Sequence, residues 1–209
     1  MERKGNLIII SAPSGSGKTT VVHGVLVEVE GLTFSVSYTT REPRVSEVHG
    51  RDYFFVDSAT FRNMQAEGEF LEWAVVHGQL KGTSRSLVEA EQAKGLDVML
   101  EIDVQGALQV KAIIPRAILI YLLPPSYESM ERRLRLRNTD REDEIRRRLV
   151  RARDEIRFCE QYDYVVINDD LRLAVDEVKR IVLSSRCRVA NNLSTIRKIS
   201  RTFEEIRDV

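Results

Sequence analysis

Cysteine is scarce in this chain: Cys159 and Cys187 are the only two in 209 residues. Two cysteines exclude a multi-bridge disulfide framework, and they read as reduced, buried thiols. Neither stands at metal-ligand spacing from the three histidines, His23, His49 and His77, so no Cys/His metal site is expected. Long apolar runs are missing as well. The longest, at 7–10 and 117–123, fall far short of the roughly 20 residues of a membrane helix. The first is also too short for the core of a signal peptide. Net charge is absent: 32 Lys and Arg balance 32 Asp and Glu. That argues against a protein that coats nucleic acid or an anionic membrane, while leaving room for a local anion site. No repeat and no low-complexity tract is present. The expectation is a cytoplasmic protein with no nucleic-acid and no membrane partner.

What is present is ordinary globular material, 43% hydrophobic and 31% charged, long enough for one core with a small insertion. Residues 6–11 read as a fully buried strand, 11–18 as a loop and 19–29 as a helix ended by Gly31. The texture then changes. Short β-rich pieces at 34–38, 52–56 and 70–76 surround a short helix at 59–66, which suggests an inserted mixed α+β subdomain. A helix at 86–93 leads back to alternation: strand 97–103, helix 105–113, strand 117–123 and a helix 126–137 capped by Ser126. Thr139 and Glu142 have capping-box spacing for the next helix. Its apolar stripe is Ile145, Leu149, Ala152, Ile156 and Cys159. Strand 164–168, a helix from 171 to about 189 and a last helix near 194–206 complete the chain. The pattern predicts an α/β fold: a parallel sheet with helices on both faces, built from 1–32 and 86–209, with 33–85 inserted.

The strongest local signal joins the first strand to the first helix. Ala12, Pro13, Ser14, Gly15, Ser16, Gly17, Lys18 and Thr19 follow the phosphate-loop pattern G-x-x-x-x-G-K-S/T, with Ala12 in the first glycine position. Gly15 and Gly17 let backbone N–H groups turn inward around phosphate oxygens, and the helix start adds its positive end. Lys18 is placed to neutralise the outer phosphates and the Thr19 hydroxyl to ligate Mg²⁺, with Thr20 beside it. A second carboxylate for the metal is expected at the end of a neighbouring strand, and Asp103 fits.

Further runs sharpen the reading. The segments SAPSGSGKTT at 11–20, SVSYTTREPRVSEVHGRDYFFV at 35–56, EFLEWAVVHG at 69–78, GTSR at 82–85, EIDVQGA at 101–107 and YVVINDD at 164–170 resemble guanylate kinase along nearly the whole chain. The resemblance implies a P-loop core, a GMP-binding insertion and a helical lid at about 126–157. It implies transfer of the γ-phosphoryl group of ATP to GMP, with Mg²⁺, in a monomer or homodimer. Glu72 would accept from the adjacent N–H donors of guanine, which adenine lacks, with Ser37 and Thr83 as hydroxyl partners. Arg41, Arg44 and Tyr53 would hold the GMP phosphate, Arg suiting the task through paired charge-assisted bonds. Arg137 and Arg148 would be the lid arginines that reach the transferring group, Arg133 a further candidate, and Asn168 would lie near adenine. The stretch 131–157 carries eleven arginines against seven acids, most of them read as a solvated helix face.

Three positions depart from the family pattern. Lys81 replaces a tyrosine that normally contacts the GMP phosphate, and could act there as a point charge. Glu101 replaces an aspartate as the expected guanine-facing carboxylate. Asn138 replaces a lid glycine, in a turn that asparagine tolerates. Two other readings stay open at this point. One is a kinase of another phosphorylated acceptor on the same fold. The other is a non-catalytic module that binds phosphorylated peptides.

Overall fold

The computed structural model describes residues 4–76, 78–136 and 142–204. The expectations placed on His77, Arg137, Asn138 and Thr139, and the helix end beyond Glu204, lie outside the described residues.

In chain order the elements are β1 (Leu7–Ser11), α1 (Lys18–Glu28), β2 (Leu32–Phe34), β3 (Tyr38–Thr39), β4 (Phe54–Phe55), α2 (Ser58–Ala66), β5 (Phe70–Val76), β6 (Gln79–Ser84) and α3 (Arg85–Ala93). Then come β7 (Asp97–Glu101), α4 (Val104–Ile113), β8 (Ile118–Leu123), α5 (Tyr127–Leu136), α6 (Glu142–Glu155), a 3-10 segment Ile156–Gln161, β9 (Tyr164–Ile167), α7 (Leu171–Arg186) and α8 (Val189–Glu204).

A strand of consecutive apolar residues has no face to offer water, so it must be covered on both sides. β1 sits in the middle of a five-stranded sheet, order β2-β7-β1-β8-β9, and every pairing in it is parallel. Side chains alternate along a strand. Ile8 and Ile10 therefore join the core beneath α1 and α7, with Val21, Val25, Val178 and Val182. Leu7 and Ile9 enter the opposite core with Val88 of α3 and Ala107 and Val110 of α4. The loop that follows β1 emerges at the carboxyl end of this sheet, where open α/β sheets bind their ligands.

The insertion folds as a second sheet, order β4-β3-β6-β5. β3 pairs parallel with β4 and antiparallel with β6, and β6 pairs antiparallel with β5. Its small core is aromatic: Phe61 of α2 stacks on Phe70 with centroids 4.4 Å apart, and Tyr38 stacks on Phe54 at 4.7 Å. Gly82 makes room for it, because a Cβ there would lie 2.9 Å from the Phe70 ring and 3.1 Å from Phe61.

Several expectations change. The strand expected over 34–38 is two strands: β2 joins the parallel sheet and β3 the second sheet. β6 was not expected, since Lys81 and Gly82 give it little strand character of its own. The strand expected to reach residue 103 ends at Glu101, and Asp103 caps α4 instead. The lid stripe stops early. Ile145, Leu149 and Ala152 pack on Met130 and Leu134, but Ile156 is exposed, because the tighter 3-10 segment breaks the 3.6-residue period there. The helix expected to run to about 189 ends at Arg186, and α8 begins at Val189. Both cysteines are free, but neither is buried: Cys159 is half-buried and Cys187 exposed.

Candidate active site

The phosphate loop has the local geometry its glycines permit. Gly15 and Gly17 take φ of 88° and 84°, a left-handed conformation that side chains disfavour. The turn is closed by the Ser16 N–H and hydroxyl, both donating to the Pro13 carbonyl, at 3.2 and 2.7 Å. Asn168, at the end of β9, is buried and donates from Nδ2 to the Ser16 carbonyl at 2.6 Å. A Cβ on Gly17 would come within 2.6 Å of the same nitrogen. Asn168, expected near adenine, is thus fastened to the loop backbone.

Lys18 Nζ donates to the Ile102 carbonyl at 3.3 Å and lies 3.9 Å from Glu101 Oε1. The Thr19 hydroxyl donates to the same Glu101 oxygen at 2.7 Å. Glu101, expected to face guanine, is therefore engaged with the phosphate loop. Asp103, expected on the metal side, accepts from Gly106 N–H at 2.9 Å through Oδ1, and its charge is felt at Glu72. Both acids line the cavity beside Glu72 and the cavity along the phosphate loop.

Glu72 lines the first of two adjoining cavities. β5 and β6 pair out of register between Phe70 and Glu72, and such a bulge re-aims a side chain. Phe70, Leu71 and Glu72 are consequently all buried, which simple alternation would forbid. Thr83, also buried, donates to Glu72 Oε1 at 2.6 Å. A Cβ on Gly106 would stand 2.4 Å from Glu72 Oε2, so that glycine admits the carboxylate over the start of α4. Burial, with a smaller push from Asp103, raises the Glu72 carboxyl to about 7, against the opposing hydrogen bond from Thr83. The cavity before it holds about 130 Å³ and is lined by Lys18, Ser37, Tyr53, Glu72, Lys81, Glu101 and Asp103, among others.

Two cations lie against Tyr53. The Arg41 guanidinium lies 5.5 Å from its ring centroid and Lys81 Nζ 4.8 Å. Lys81 also donates to the Tyr53 hydroxyl at 3.1 Å. An ammonium can only donate, so the tyrosine oxygen accepts and its own proton is left to point elsewhere. Arg41 is half-buried and ion-paired with Glu47 at 2.8 Å, while Arg44 is exposed.

A second cavity of about 210 Å³ follows the phosphate loop from Ala12 to Thr19 and shares Lys18, Val76, Glu101 and Asp103 with the first. Its far wall is helical: Arg148, Arg151 and Glu155. Arg148 was expected there; Arg151 and Glu155 were not. Their spacing of three and seven residues from Arg148 puts all three on one helix face, a signal present in the sequence. Burial and the Asp103 charge hold the Glu155 carboxyl above its ordinary range, opposed by Lys18 and Arg151. Thr20 and Arg133 line a shallower cavity with Gly15, Gly17 and Asn168. A larger cavity, about 510 Å³, lies at the amino end of β1 and touches none of the expected site residues. Among the described residues no helix is long and apolar enough to cross a membrane.

Known proteins resemble this chain along most of its length. The guanylate kinase family model matches residues 4–185. The guanylate kinase of Aromatoleum aromaticum is 52% identical over 187 residues, covering 90% of this chain and 92% of that protein. That of Geobacter metallireducens is 47% identical, covering 94% and 97%. The crystal structure of guanylate kinase from Anaplasma phagocytophilum superposes with a TM-score of 0.77 at 32% identity, covering 93% of this chain and 94% of that one. With a family model over most of its length, close relatives end to end and the same fold, the chain belongs to the guanylate kinase family, the ATP:GMP phosphotransferases.

Proposed function

We propose that this chain performs the guanylate kinase reaction with the residues assembled around its two adjoining cavities. ATP lies along 12–20 and GMP lies between Glu72 and Tyr53. The observation that carries this reading is that Lys18, Glu101 and Asp103 stand on the wall common to both cavities. A donor phosphate on the loop and an acceptor phosphate in the first cavity would meet there.

The acceptor is already an anionic phosphate oxygen, so no general base is needed. The difficulty is bringing two polyanions together. Lys18, Arg41, Arg44 and Arg148, with Arg137 from the lid, supply charge, and the loop backbone supplies orientation. Arg151 shares the Arg148 face and joins them. Glu72 and Thr83 read the guanine edge, with Ser37 beside them. Lys81 and Tyr53 contact the acceptor phosphate, Tyr53 donating the proton that Lys81 leaves free.

The donor set suits magnesium. The Thr19 hydroxyl and the Glu101 and Asp103 carboxylates are hard oxygen ligands, and Mg²⁺ takes most of its coordination from water and phosphates. Glu101, already bonded to Thr19, is the carboxylate we assign first. When bound, the ion neutralises phosphate charge in the transition state.

We further propose a core of 1–32 and 86–209, an insertion at 33–85 and a lid at about 126–157 that close together to exclude water. The free thiols of Cys159 and Cys187 suit the cytoplasm. An ADP-release assay with GMP, dGMP, AMP, UMP or no acceptor tests the assignment. Turnover is expected with GMP and dGMP only. Equal rates with AMP, or release without an acceptor, would refute it. Lys18→Ala should lower kcat by about 10² or more while GMP still binds.

A further inference from the structure

Glu47 stands on the loop between β3 and β4, six residues after Arg41 and three after Arg44, and no role in the reaction has been given to it above. Its carboxylate gathers both arginines. Arg41 Nη2 donates to Oε1 at 2.8 Å and to Oε2 at 2.9 Å. The backbone N–H of Arg44 donates to Oε2 at 2.8 Å. Arg41 Nη1 gives one further hydrogen to the Glu42 carbonyl at 2.7 Å.

A guanidinium has five N–H bonds. Glu47 engages Nη2 and the Glu42 carbonyl engages Nη1, and among the described residues Nε–H is left without an acceptor. The plane that carries it is set against the rings of Tyr53 and Phe55, 5.5 and 5.8 Å from the Arg41 carbon. The side chain is thereby fixed from one side, with a donor still unused. Glu47 remains an anion while doing this, since its bonds to Arg41 hold its carboxyl below the usual range. The pair is largely shielded: the side chains are 23% and 15% exposed. An isolated surface ion pair would bind one partner. This carboxylate binds a side chain and, separately, the backbone that carries the next arginine.

We propose that Glu47 is a positioning residue for the acceptor phosphate. It aims the Arg41 guanidinium from behind and, through the Arg44 N–H, sets the turn that presents Arg44. The inference rests on the reading of Arg41 and Arg44 as phosphate binders.

The test compares Glu47→Ala, Glu47→Gln and Arg41→Ala with the wild type. Binding of GMP and of guanosine, which lacks the phosphate, is measured by calorimetry, alongside KM for ATP and the thermal midpoint. Loss of an oriented charge-assisted contact predicts GMP binding weakened about tenfold in Glu47→Ala. Guanosine binding and KM for ATP should hold. Glu47→Gln, which keeps one acceptor for the Arg44 N–H, should fall between. Equal losses for GMP and guanosine would overturn the proposal in favour of a general role in the fold. Unchanged or tighter GMP binding in Glu47→Ala, with Arg41→Ala still impaired, would overturn it alone. An Arg41→Ala protein that binds GMP normally would overturn the phosphate reading and this inference with it.

Discussion

Glu72 is buried where charge is costly, and on the proposed reading it must be charged to accept both donors of guanine. Burial pushes it to about 7, so near neutral pH part of the free protein carries it protonated. GMP binding should therefore release protons at pH 6 to 7, and kcat/KM for GMP should fall as pH drops below about 7. A pH profile checks this, and the same limb should be missing in Glu72→Gln, which should also discriminate less against AMP. The stability sign is opposite. A carboxyl raised in the folded state contributes most when protonated, and that contribution is lost as pH rises through about 7. Lys81 acts at the same scale. Lys81→Ala should raise KM for GMP and reduce its salt sensitivity, since a charge that meets phosphate is screened by salt. A KM for GMP that Lys81→Ala leaves unchanged in both 50 mM and 300 mM salt, between which the Debye length shrinks about 2.4-fold, would leave Lys81 with no part in binding.

At the scale of elements, the second sheet depends on one missing side chain. Gly82 of β6 lies against Phe61 and Phe70, and Gly82→Ala should lower stability by about 1–3 kcal/mol through overpacking. Thermal unfolding measures it, and GMP protection should weaken with it because Thr83 is the next residue. β6 also marks where sequence reading stopped. β1 and the phosphate loop were legible because an apolar run, two glycines and a Lys-Thr pair each act locally. β6 is a strand only because β5 and β3 flank it. The bulge that turns Glu72 inward is likewise a property of the pairing. Glu101 and Asp103 are two residues apart at one strand end, and the tasks expected of them, guanine for Glu101 and metal for Asp103, could not draw on the local bonds each makes. In the structure Asp103 caps α4 and Glu101 accepts from Thr19.

At the scale of the molecule, charge is balanced within the site as well as over the chain. Lys18, Lys81, Arg148 and Arg151 line the two joined cavities together with Glu72, Glu101, Asp103 and Glu155, while the surface elsewhere is laced with ion pairs such as Lys111 with Asp163 and Lys179 with Glu28. On the proposed function such a site holds two separate polyanions, its cations on their phosphates, rather than a continuous one. If insertion and lid close together on them, a bisubstrate analogue joining adenosine and guanosine through phosphates should reduce the radius of gyration in solution scattering. An unchanged radius would argue for a site that is closed from the start.

The bond from Asn168 to the Ser16 carbonyl spans 152 residues. A chain is made from its amino end, so the loop from Ala12 to Thr19 is made before the residue that fastens it. β1 cannot gain its sheet neighbours until β7 and β8 have followed, and Ser16 cannot gain its amide partner until β9 has emerged. The phosphate loop is written early and completed late. The backbone of that loop is thus fixed only after β9 and Asn168 have been made.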